Sequence, residues 1–249
     1  MTLSDELWRL VKAGRFQDAI TAGEKALAEP GGAPVILGNL TLAYMATGDF
    51  NSAYRCAAAR DAAESTSRRL GLRFLNDMAS AAWLAGDKML SLEHAKRDVE
   101  LLSNGESNYA DASGGTSNAL FLRYCSLMLR DEHGQALALR YLKSISKRRS
   151  FSNWPGPLGS HFLGTASFED VLLSASGESA VPTALLAAKT DTLKRRQLIE
   201  ALFYLGVKKR EAGDQAGCLA LMEHCCSFEN PYNETEWYLA QQEVREPDS

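Results

Sequence analysis

Apolar residues recur every three to four positions along most of this chain, the period of a helix with one buried face. Leu37, Leu40 and Tyr44 form one such stripe, Leu75, Met78 and Ala82 a second, and Leu202, Leu205 and Gly206 a third. Each stripe runs into a short break: Thr47-Gly48-Asp49, Ala85-Gly86-Asp87 and Ala212-Gly213-Asp214. A second helical run then follows, with small or apolar residues at fixed steps. Glycine at the break relieves the turn that ends the first helix, and small residues let the two helices approach closely. The pattern predicts helix, tight turn, helix.

The figure repeats. Gly14 maps onto Gly48 and Ala19 onto Ala53, both at an offset of 34. Gly86 follows Gly48 by 38, so the second helix of that unit is expected to be four residues longer. A further unit fits if Asp131 stands in place of the glycine: Leu120, Tyr124 and Leu127, then Ala136, Leu139 and Lys143. Before it lies a polar loop, 103–118, with Thr116 or Ser117 as the expected helix N-cap. Its Gly-Gly-Thr lacks the lysine of a phosphate cradle. After Arg149, Trp154-Pro155 opens a short helix that Gly164 ends, and Ser167 caps a second short helix. The expected organisation is one array with units at about 1–33, 34–70, 72–105, 117–150 and 199–232, a degenerate hairpin at 151–198, and a capping helix at 233–245.

This register resembles the tetratricopeptide repeat, a helical hairpin of about 34 residues. In that frame the last unit places Leu202, Leu205-Gly206, Gly213, Cys218, Met222 and Cys225 at the family's positions. The second unit places Leu37, Leu40, Tyr44, Gly48, Ala53 and Ala57, and Pro30 closes the first. The resemblance implies an all-α fold, a right-handed α-solenoid of helical hairpins. Over roughly the last 95 residues the chain is also similar to the bacterial tetratricopeptide lipoprotein NlpI and related proteins. Trp154-Pro155, Phe162-Leu163-Gly164, Phe203-Tyr204-Leu205-Gly206, Gly213-Asp214 and the pair Asn233 and Glu236 carry that similarity. It implies a non-enzymatic adaptor, while the lack of a signal peptide and lipidated cysteine speaks against an envelope role.

Charge and composition narrow the classes. With 27 basic and 31 acidic residues the net charge is −4, which gives no nucleic-acid or membrane signal. No run approaches 18 uninterrupted apolar residues, so no bilayer span is expected. An odd number of cysteines, five, without a secretion signal points to reduced thiols in a cytoplasmic protein.

The candidate chemistry thins out on the same register. The stretch CLALMEHCC, 218–226, gathers three cysteines and a histidine as a metal or redox site would. Cys218 and Cys225 are two helical turns apart at positions where the family packs alanine, so they are expected in the core with Met222 between them. A structural zinc needs four ligands converging from more than one element, which one helix cannot supply. Cys226 and His224 fall on other faces. Ser160 and His161 are adjacent on a helix and point about 100° apart, so they form no nucleophile pair. The basic clusters 143–149 and 194–196 read as solvated helix ends, with a docking patch for an acidic partner as the alternative. Sequons at Asn39 and Asn233 read as chance matches. No catalytic residue, metal site or cofactor is expected.

The resemblance further implies a concave groove lined by fixed positions of each first helix. The second unit would present Gly38, Leu42 and Met45, and the third Arg73, Asn76, Ser80 and Trp83. The fourth would present Asn118, Phe121, Cys125 and Met128, and the fifth Glu200, Phe203, Val207 and Arg210. Only Arg73 and Asn76 could grip a peptide carboxylate, so no carboxylate clamp is expected. The aromatic and methionine content of this lining suits an apolar helix or extended peptide. The expected function is therefore a protein–protein interaction scaffold or adaptor. The alternative is a self-associating structural subunit, for instance a homodimer, in which part of this lining packs against segment 151–198 or a second copy.

Overall fold

The turns explain the architecture. In the computed structural model, which describes residues 2–29, 34–65, 75–107, 111–229 and 234–246, every regular element among the described residues is helical. Most consecutive helices pack against one another within each of two compact units, Met1–Asn108 and Tyr109–Ser249. Pro30, Arg73 and Asn233 lie outside the described residues.

The first unit contains α1 (Leu3–Lys12), α2 (Phe16–Leu27), α3 (Pro34–Thr47), α4 (Phe50–Ser65), α5 (Leu75–Leu84) and α6 (Lys88–Asn104). Thr2 starts α1 with a capping box: its hydroxyl accepts from Asp5 N at 3.2 Å, and Asp5 accepts from Thr2 N at 2.9 Å. The helices then fold back on one another in hairpins, and the turn is built the same way each time. At the α3–α4 turn, Gly48 takes φ +78°, Asp49 N donates to Tyr44 O, and Gly48 N donates to Met45 O. These are the two bonds that satisfy the last carbonyls of a helix ending in the left-handed region. Asp49 then caps α4 by accepting from Ser52 N at 3.0 Å. The same paired bonds recur at Gly14, Gly86 and Gly213, and the same aspartate cap at Asp87 and Asp214.

The second unit contains α7 (Thr116–Met128), α8 (Glu132–Ile145), a 3-10 turn (Arg149–Ser152), α9 (Gly156–Phe162), α10 (Phe168–Ser176), α11 (Val181–Ala188), α12 (Thr192–Glu211), α13 (Gln215–Cys226) and α14 (Thr235–Arg245). The α7–α8 turn corrects the sequence register. The left-handed residue is Arg130, at φ +54°, with Asp131 as the cap one position later. Asp131 N donates to Ser126 O and Arg130 N to Leu127 O, the bonds of the glycine turns. The buried stripe of α8 is Gly134, Leu137, Ala138, Tyr141, Leu142 and Ile145. Ala136 and Lys143 face outward instead.

Two further expectations change here. The N-cap of α7 is Gly115, and the carboxylate that serves its amides is Asp111, which accepts from Ser117 N and Gly115 N at 2.9 Å each. Segment 151–198 holds α9, α10, α11 and the first turns of α12, because Asp191 starts that helix by accepting from Leu193 N and Lys194 N. Segment 168–188 is long and apolar enough to cross a membrane, with mean hydropathy 1.3. Its helix breaks at Gly177, φ +79°, into α10 and α11.

Helix α12 organises the second unit. It packs against α7, α9, α10, α11, α13 and α14, and Leu198 to Val207 are buried without interruption. A helix apolar on all sides is a core helix, and LIEALFYLGV is apolar but for Glu200. At Gly206 the α13 backbone comes so close that an added Cβ would lie 3.3 Å from Cys218 O and 3.0 Å from Met222 Cε. That is where small residues at Gly206 and Cys218 allow close approach.

Candidate functional site

In the first unit, Leu42 and Asn76 are half-buried, whereas Met45, Ser80 and Trp83 are buried. Ser80 turns its hydroxyl back to Asp77 O at 3.1 Å. Lys88 places Nζ 5.5 Å from the centre of the Trp83 ring, a cation–π contact. At Gly38 an added Cβ would meet the Arg60 guanidinium at 2.4 Å, so that position seats Arg60.

In the second unit the structure brings the expected lining of α7 and α12 together, mostly inside the core. Phe121, Cys125, Phe203 and Val207 are each exposed by 2% or less. The ring of Phe203 meets that of Tyr124 edge-on at 5.1 Å, and Tyr124 lies 6.2 Å from Phe121. Asn118 and Met128 stay half-buried. Arg210, with its side chain 15% exposed, donates to Met128 Sδ at 2.8 Å and to Glu243 Oε2 at 2.6 Å. Tyr124 Oη donates to the other oxygen of that carboxylate at 2.6 Å. Glu243 thus ties α14 to both α7 and α12. Nearby, Arg123 pairs with Glu211 and donates to Gln135 Oε1 at 3.0 Å.

At the other end of α12, Glu200 accepts from Trp154 Nε1 at 2.6 Å and from Ser117 Oγ at 3.0 Å. Burial holds its carboxyl well above the usual range, and Glu236 and Glu234 push the same way. Burial and Glu234 also push Glu236 up, to about 7. Sequence reasoning placed Glu200 in the lining and matched Glu236 only through resemblance. The signal that could have revealed a buried role was a lone acid within ten otherwise apolar residues.

The cysteines fall where their register put them. Cys218, Met222 and Cys225 are fully buried, and the Cys225 thiol lies 3.5 Å from Ile199 O. Cys226 is half-buried, with its thiol pushed up to about 11 chiefly by burial. His224 is exposed, on the rim of a cleft of about 740 Å³ formed by Leu185 and Leu186 of α11, Lys189 just after it, Arg195 of α12, and Phe228 after α13. Arg195 binds the carbonyls at the end of α11, Ala188 O at 3.3 Å and Lys189 O at 2.6 Å. His161 shares a hydrogen bond with Ala166 O at 2.9 Å through Nδ1, which must carry the proton.

Chemically, the first unit offers the half-buried Leu42 and Asn76, and the second, by itself, the half-buried Asn118, Met128 and Arg210, an apolar cleft rimmed by Lys189 and Arg195, and buried acids engaged with indole, hydroxyl and guanidinium groups. No protein-family model matches the chain, and no curated protein matches it significantly.

Proposed function

We propose that this chain is a non-enzymatic scaffold of tetratricopeptide-like hairpins, a right-handed α-solenoid that holds another protein by an apolar helix or extended peptide in a cytoplasmic setting. The observation that supports this most is the repeated turn: left-handed residue, paired helix-end bonds and a following cap, the cap an aspartate at 49, 87, 131 and 214. Such repetition belongs to arrays in which each hairpin packs on its neighbours and the first helices share a face. Of the lining positions, Leu42 and Asn76 in the first unit and Asn118, Met128 and Arg210 in the second keep surface for a partner.

The test is quantitative capture from cell extract with wild type and with Leu42→Glu and Met128→Glu, each shown to be folded by circular dichroism. Proteins retained by wild type should fall about tenfold or more with either variant. Equal retention by the folded variants, or no retention above an unrelated helical control, would sink the proposal.

A second reading, self-association, is favoured by Leu173, Leu186 and Leu193, which are 54%, 61% and 61% exposed on α10, α11 and α12. It requires the mass in solution to rise with concentration and to return to one chain when Leu186 becomes Glu.

A further inference from the structure

Three carboxylates and one guanidinium meet where α14 begins. On α12, Arg196, Glu200 and Tyr204 are spaced four residues apart and share one face. Glu234, the residue before α14, pairs with Arg196. Glu236, in the first turn of α14, and Glu200 are each 9% exposed. Trp154 and Ser117 give Glu200 two neutral donors. From α13, the Cys225 thiol reaches toward Glu236 O at 3.9 Å and brings no positive charge. The charged or titratable groups facing the pair are therefore Arg196, Tyr204, Glu234 and Cys225. The one cation among these described groups, Arg196, is 53% exposed and committed to Glu234. Two buried carboxylates to which no cation is paired among the described residues are relieved most readily by keeping a proton.

We propose that the seating of α14 on α12 depends on a proton held by Glu200 and Glu236, which makes the terminal helix a pH-sensitive cover over the α12–α13 face. Cys225 of α13 meets α14 there, Leu202 of α12 and Met222 of α13 are likewise fully buried, and α14 itself contributes Tyr238, Leu239 and Ala240. Release of the helix uncovers this apolar surface, while the Glu243–Arg210 contact holds the other end as a tether.

The direction follows from the sign of the shifts. A carboxyl raised in the folded state stabilises that state below its ordinary value of 4.5, and the contribution is lost as pH rises through the folded value, about 7 for Glu236. The cover is seated at pH 5 and loosens toward pH 8.

Amide hydrogen exchange on the full chain tests this, with rates corrected for intrinsic pH dependence. The readout is protection of 235–245 relative to 120–127 in α7, between pH 5.5 and 8.5. In wild type the ratio should fall tenfold or more as pH rises. In Glu236→Gln, which keeps the shape of the protonated acid, it should be flat, and Glu200→Gln should flatten it too. A flat wild-type ratio overturns the proposal, and so does a wild-type slope retained by both variants.

Discussion

Arg130 occupies the backbone conformation that glycine holds at every comparable turn, so replacing it with glycine should stabilise the protein. The left-handed region costs an L-residue about 1–2 kcal/mol through contact between Cβ and the carbonyl. Glycine gives back about 0.5–1 kcal/mol of this through the extra freedom it has when unfolded. Arg130 is exposed and enters no ion pair among the described residues, so truncation sacrifices no contact described here. The net gain for Arg130→Gly is about 0.5–1 kcal/mol, or roughly 1–4 °C in Tm for a chain of this size. Gly213→Ala is the mirror experiment: nothing lies within 4 Å of an added Cβ, so its cost comes from the backbone at φ +82°. That variant should lose about 1 kcal/mol or more. Urea titrations followed by circular dichroism, with unchanged m-values, give both numbers. If Arg130→Gly fails to raise the midpoint while Gly213→Ala lowers it, the left-handed turn at 130 is wrong.

Two further outcomes follow from local contacts. Asp111→Ala removes the carboxylate that serves Ser113 N, Gly115 N and Ser117 N at the start of α7; it should cost about 1–2 kcal/mol in thermal unfolding, and an unchanged Tm would refute the cap. At pH 6.5, Cys218 and Cys225 should resist a thiol reagent and Cys226 should react slowly, because burial disfavours the thiolate. Mass spectrometry after timed labelling reads this, and native labelling of Cys225 at the unfolded-state rate would contradict its place in the core.

The turns were legible because their requirements are local: a residue free to take positive φ, followed by a short acid that can cap. Where Arg130 took the glycine's place, the letters offered Asp131 instead, and the predicted stripe of α8 slipped with it. The lining of α12 was harder for a different reason. Repeat position says which residues share a face, but burial depends on what lies over that face. Phe203 and Val207 sit at lining positions, yet their helix is apolar on every side from Leu198 to Val207, a pattern that already demanded neighbours all round. Glu200 makes the same point in reverse. An acid inside such a run must find donors or hold a proton, and that demand can be read from ten consecutive letters. Its donors cannot, because Trp154 and Ser117 lie 46 and 83 residues away. Only the packing of α7, α9 and α12 brings them to one carboxylate. Sequence therefore states the need of a buried charge, and the fold determines whether donors, a cation or a retained proton meets it.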